Sequence, residues 1–388
     1  MNIIPATGFR LFSLKVFGSC RAAALQRIAS LASRVGRRRP KNHYRLCIFK
    51  PDGIGDFVLA LGTIRLLLKE FGAENCVILC WPSVRALAEM EFHRTHLIIV
   101  PECYITLRPG VVWKAMRLRL SLAHYQFDQL VCLRHRRSRF QNLAMRWIRT
   151  NRRAGLVNQR EHYIGDSSDF IFDRKDEYPL VAESGWCLEL EAHRRVGAQV
   201  LGRRLEVREI APEFTLLKWM PGNYVLVSPF SSAVLKDYPS HLMVTALSEI
   251  QRKLGLRFQL SFSPQDRARA IDLHGLLQRE GIHADLPLAT SFREYVQVVA
   301  GARAVLSVDT ATAHIAVALG MPTVVILGGG HYGQFGPWGI ADRHIWVTNH
   351  LKCFNCGWRC QEAEPYCITR VTPHRIVQAM EHALAASP

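Results

Sequence analysis

Three groups of residues in this chain have the types and spacing to do chemistry. The first is Lys50-Pro51-Asp52-Gly53-Ile54-Gly55-Asp56, where an apolar run gives way to a glycine loop and Asp56 stands at the mouth of an apolar helix pattern. The second is Ser231-Ser232-Ala233-Val234-Leu235-Lys236-Asp237-Tyr238-Pro239, two hydroxyls and an ammonium ahead of a helix pattern. The third is Asp309-Thr310-Ala311-Thr312-Ala313-His314, where a buried strand pattern ends and a helix of small residues begins.

Each group has a structural and a chemical reading. The glycine loop lacks the third glycine of a dinucleotide fingerprint, and an acid at the helix mouth would repel a pyrophosphate. Asp56 is therefore either a helix cap or a carboxylate aimed at a substrate. Ser231, Ser232 and Lys236 are a phosphate cradle or a polar loop with a solvated lysine. Thr310 at a helix start suits a phosphate, while Asp309 and His314 suit sugar hydroxyls or a leaving group, or else a capping acid and a packed histidine. Gly328-Gly329-Gly330 ends the next strand pattern and allows close backbone approach to a ligand.

These groups need elements to hold them. Apolar runs at 44–49, 76–81, 97–101, 129–133 and 153–157 alternate with helix patterns at 56–71, 83–91, 111–124 and 138–149. A second series has runs at 224–230, 257–262, 304–308, 322–327 and 345–348, with helices at 239–254, 265–280, 291–302 and 311–319. Continuous apolar strands between amphipathic helices predict parallel sheets covered on both faces. The expected class is α/β, two facing Rossmann-like domains over 44–215 and 216–388. Ligands would sit in the cleft at the carboxyl ends of the strands. The uncharged stretch 310–330 is read as helix plus buried strand, because His314 and Gly320-Met321-Pro322 interrupt it.

In order and on these elements, the three motifs resemble glycosyltransferase family 9, the heptosyltransferases of lipopolysaccharide core synthesis. The matching residues are Lys50 to Asp56, then Ser231, Ser232, Lys236, Tyr238 and Pro239, then Asp309, Thr310, His314, Gly320 and Pro322. Tyr238 stands where that family usually has tryptophan. The resemblance implies a GT-B fold and an inverting mechanism without a required cofactor or catalytic metal. It also implies a sugar-nucleotide donor, typically ADP-heptose, and an anionic glycolipid acceptor. Asp56 takes the position of the general base. Ser231, Ser232, Lys236, Asp266, Asp309, Thr310 and His314 take donor-binding positions, Asp266 toward the nucleotide ribose. Lys50, Arg134, Arg136 and Arg137 are the acceptor-side candidates, since a lipopolysaccharide core carries carboxylates and phosphates that arginine binds. A solvated basic face is the other reading of that cluster. A UDP- or GDP-sugar donor, or binding of a nucleotide sugar without turnover, keeps the same fold.

The net charge is +18 over 388 residues, but residues 1–45 hold ten Lys or Arg and no acid, so the excess sits mostly in a leader. That distribution argues against a nucleic-acid partner for the folded body. Residues 1–43 read as an extension: a basic helix on an anionic membrane surface, a disordered arm, or a targeting segment. Eleven cysteines, several in apolar runs, fit a reduced cytoplasmic protein, here expected on the inner face of the bacterial inner membrane. Cys353, Cys356, Cys360 and Cys367 are spaced closely enough for one structural zinc; free thiols or disulfides are the alternative.

Overall fold

The computed structural model describes residues 40–386 apart from 103–108, 135, 158–171, 180, 183–185, 288 and 290. The basic leader of residues 1–39 therefore lies outside the described residues.

Two parallel sheets form the frame. The first runs β1 (Asn42–Phe49), β2 (Cys76–Cys80), β3 (His96–Ile99), β4 (Tyr125–Cys132), β5 (Arg149–Val157) and β6 (Arg174–Glu177), in the order β3-β2-β1-β4-β5-β6. The second runs β7 (Tyr224–Ser228), β8 (Arg257–Leu260), β9 (Ala284–Asp285), β10 (Ala304–Val308), β11 (Thr323–Ile326) and β12 (His344–Val347), in the order β12-β11-β10-β7-β8-β9. Both are doubly wound. The strand order reverses between β1 and β4 in one sheet and between β7 and β10 in the other, which opens a crevice at each reversal.

The central strands explain the pairing. CVILC of β2 and AVLSV of β10 are buried along their whole length, as strands covered on two faces must be. Helices follow as α1 (Ile54–Phe71), α2 (Arg85–Glu91), α3 (Pro109–Leu122), α4 (Arg139–Trp147) and α5 (Leu188–Leu201) in the first domain. The second has α6 (Ser240–Leu254), α7 (Arg267–Arg279), α8 (Phe292–Ala300), α9 (Ala311–Ala318), α10 (Tyr366–Thr369) and α11 (Pro373–Ala385). The stretch 310–330 is α9 followed by β11. No helix among the described residues is long and apolar enough to cross a membrane.

The domains meet through α1 and α9. One continuous apolar cluster holds Val58, Leu61 and Ile210 from the first domain with Ile315, Ala316 and Trp338 from the second. Gly62 lets α1 approach the chain at Ile210, where an added Cβ would overlap the backbone.

Candidate active site

The four loops that leave the sheets at the two reversals carry the motif residues. They face one another across a cleft of about 1340 Å³, lined among others by Asp56, Arg134, Ser231, Lys236, Asp309 and His314.

On the first-domain side, α1 begins at Ile54, two residues before the expected start, and its N-cap is Gly53 without a side-chain cap bond. Asp56 is thus a first-turn residue and not the cap. Beneath it lies Lys50, which is fully buried. Its Nζ donates to the Leu133 carbonyl at 3.0 Å and to Glu189 Oε1 at 3.1 Å, and lies 3.2 Å from Asp52 Oδ2. Lys50 therefore does not reach an acceptor, a correction to its sequence reading. An ammonium at the end of an apolar strand needs a counter-charge, and α5 brings Glu189 to it. Arg134 binds the Asp52 carboxylate and donates to the Pro51 carbonyl at 2.9 Å.

These charges separate two neighbouring carboxyls that share a hydrogen bond. Burial pushes Asp56 well above the usual carboxylate range; Asp52 adds to the rise, while Lys50 opposes it. Burial also works against Asp52, but Lys50 and then Arg134 outweigh it and hold that group low. Of the two neighbours, Asp52 is the carboxyl held low and Asp56 the one held high.

On the second-domain side, Lys236 Nζ donates to Asp309 Oδ2 at 2.7 Å. Burial disfavours the Asp309 charge, but Lys236 and His314 hold the group below its ordinary value. His314 accepts from Trp338 Nε1 on Nδ1 at 3.0 Å, and burial drops its pKa to about 4. The neutral ring must then carry its proton on Nε2, 3.9 Å from Asp309 Oδ1. Thr310 is the N-cap of α9 without a side-chain cap bond, leaving the helix-start N–H groups to the cleft. Ser231 and Ser232 line the same wall. Asp266 lines it too, its carboxylate accepting from Ser263 Oγ at 2.6 Å and Arg269 at 2.8 Å.

The basic cluster divides. Arg136 donates to Gln334 Oε1 at 3.1 Å and lies 3.3 Å from His331 Nε2, so it bridges the domains. Arg137 turns away from the cleft to the Leu156 carbonyl at 2.9 Å and Asn142 Oδ1 at 3.0 Å. It holds the loop before α4 rather than an acceptor. That loop ends in a capping box between Ser138 and Gln141, worth about 1 kcal/mol.

The glycine triplet also needs correction. A Cβ on Gly328 or Gly330 would overlap the Trp358 ring, and one on Gly329 would overlap Phe354. The glycines admit the cysteine loop, not a ligand. That loop bonds back through Asn355 N to Gly329 O at 2.8 Å and Gly357 N to Gly330 O at 3.0 Å. Trp358 then lies under Lys236, whose Nζ is 5.4 Å from the ring centre. Cys353, Cys356, Cys360 and Cys367 are free thiols around one small pocket. Among the described residues no group of three or more His, Cys, Asp or Glu is already arranged to hold a metal ion.

Two doubly wound parallel-sheet domains that face one another across a cleft are the GT-B architecture. Residues 181–364 match glycosyltransferase family 9 (heptosyltransferase). A segment of 139 residues is 29% identical to lipopolysaccharide heptosyltransferase 1 of Pseudomonas aeruginosa, spanning 32% of this chain and 38% of that protein. Among solved structures, the E. coli heptosyltransferase WaaC with ADP-2-deoxy-2-fluoro heptose superposes with a TM-score of 0.61 at 15% identity, covering 87% of this chain and 99% of that one. A family 9 glycosyltransferase from Veillonella parvula superposes at 0.68 with 13% identity, covering 89% and 98%.

Proposed function

We propose that this protein is an inverting glycosyltransferase that moves a heptose from ADP-heptose onto a hydroxyl of a lipopolysaccharide core or related glycolipid. The observation that carries this reading is the pairing across the cleft of a raised carboxyl, Asp56, with an anion site built from Lys236, Thr310 and the start of α9. Asp56 takes the proton of the acceptor hydroxyl as that oxygen bonds to the anomeric carbon. The bond from that carbon to the phosphate oxygen breaks, and the nucleoside diphosphate leaves on the opposite face. Lys236, the serine hydroxyls and the α9 N–H groups meet its charge, so the step needs no divalent cation. Asp309 keeps Lys236 aimed at the diphosphate, and the Nε2–H of His314 is available to a donor oxygen.

The name of the Pseudomonas relative supports the heptose and the acceptor, and the ADP-2-deoxy-2-fluoro heptose of the E. coli structure supports the donor. The protein works in the cytoplasm at the inner face of the inner membrane, where such an acceptor would be lipid-anchored. The four cysteines border one small pocket, and their thiolates are the residues that would hold a structural zinc.

The test is a donor screen with purified protein and delipidated core acceptor. ADP-heptose should give ADP and a product heavier by one heptose, with the anomeric configuration inverted. Turnover with a UDP- or GDP-sugar alone would sink the donor assignment, and binding of ADP-heptose without product would sink the catalytic one.

A further inference from the structure

Helix α3 buries one arc and leaves an apolar one in solvent. Leu118 and Leu122 are buried, facing the core that holds Phe127 and Phe140. At about 100° per residue, Val112, Trp113, Met116 and Leu120 fall together on the opposite arc. They are 37%, 58%, 58% and 64% exposed. Scattered apolar residues on a surface are ordinary, but four on one arc of one helix are a patch. The helix contains no acidic residue, and Lys114 and Arg117 stand exposed along one flank of the patch. Arg117 lies 4.6 Å from the centre of the Trp113 ring, so charge and aromatic surface face out together.

The topology gives this arc a position. β3 and β1 run parallel in one sheet, so α3, which follows β3, starts on the carboxyl edge and returns toward β4. Val112 and Trp113, in its first turns, are therefore on the side of the domain where Asp56 and Arg134 open into the cleft.

We propose that this face of α3 seats on an anionic lipid bilayer, with Trp113, Met116 and Leu120 in the acyl boundary and Lys114 and Arg117 on headgroup phosphates. An exposed apolar arc, a basic flank and no acid are what an in-plane interfacial helix requires, and the charge selects anionic lipid. The proposal deepens the membrane-surface part of the function above and rests on the α3 surface alone, not on the transfer chemistry. It places the lipid-facing side of the protein next to the cleft mouth, where the head of a membrane-anchored acceptor would enter.

The test is vesicle co-sedimentation of the full chain with phosphatidylglycerol-containing and pure phosphatidylcholine vesicles. The parent should bind the anionic vesicles preferentially. Trp113→Ser/Met116→Ser/Leu120→Ser should bind them at least about ten-fold more weakly. Lys114→Ala/Arg117→Ala should weaken the preference for anionic lipid and lower its sensitivity to salt. If the triple variant does not melt as the parent does, Trp113→Ala alone is judged by the same assay. Parent-like vesicle binding by the folded variant overturns the proposal. So does sedimentation showing a parent dimer that the variant breaks, because the arc would then be covered by a second copy of this chain. Turnover on a soluble, delipidated acceptor should be the same for parent and variant. Its absence in both would defeat the transfer reading and leave the bilayer result standing.

Discussion

Gly55 of the first domain touches His314 of the second: a Cβ on Gly55 would lie 2.9 Å from His314 Cδ2 and 3.5 Å from the Ala311 backbone. The glycine before the proposed base is thus where the two walls of the cleft meet, and its backbone supports the ring that faces the donor side. His314 cannot swing away, because it stacks on Trp338 at 6.1 Å and accepts its indole hydrogen bond.

Gly55→Ala should therefore wedge α1 from α9. Overpacking of a tight contact costs about 1–3 kcal/mol, so the melting temperature should fall by several degrees. Turnover should drop by more than the folded fraction does, since the base and the donor wall separate. Kinetics with a melt on the same sample measure both.

The Lys50 cluster sets a pH dependence. Asp56 must be ionised to act, so activity should rise with pH through its raised pKa. Asp52 raises that pKa and Lys50 lowers it. Asp52→Asn should then move the acid limb of kcat/KM to lower pH, and Lys50→Met should move it to higher pH. Lys50→Met also leaves Glu189 buried without its ammonium, a loss of about 3–5 kcal/mol. Acid limbs that stay in place in both folded variants would remove these groups from the control of Asp56.

Lys236→Met should raise the donor KM and lower kcat together, since its charge meets the diphosphate before and during bond cleavage. An effect on kcat alone would mean that Lys236 does not bind the ground-state donor.

The cysteine loop reaches the donor wall through Trp358. We expect close to one equivalent of zinc in protein purified without chelator, and less than about 0.2 equivalents would defeat the site. Cys353→Ser should loosen the loop and weaken donor binding as Trp358→Ala does, because both free the ring beneath Lys236. Calorimetry with ADP compares the two variants, and unchanged affinity in both would separate the loop from the donor site.

Much of this arrangement was legible in the residues. The buried strands announced themselves as continuous apolar runs, and the loops after β1, β7 and β10 carried visible motifs. β6 did not, because Arg174–Glu177 is a charged edge strand recognisable only from its pairing with β5. β9 is two residues long and sets no pattern. Glu189 and His193, whose Nε2 lies 3.3 Å from Lys50 Nζ, were missed because they sit beneath the surface of the cleft, on a helix with no motif. The available signal was Lys50 itself, a lysine at the end of a buried strand, which requires a buried acid somewhere in the chain. Arg137 and the glycine triplet looked functional because arginine clusters and glycine runs serve loop packing as readily as ligands. Only tertiary contacts distinguish the two uses.

The central claim is that Asp56 is the base, and Asp56→Asn tests it most directly. Asp56 is a first-turn residue and not the cap of α1, so the substitution keeps shape and removes a costly charge, and folding should change by less than about 1 kcal/mol. ADP binding should persist, because the anion site belongs to the other domain. Steady-state turnover should fall by about 10²–10⁴, the usual worth of a positioned base. A folded Asp56→Asn protein that binds ADP normally and turns over at near the parent rate would contradict the account.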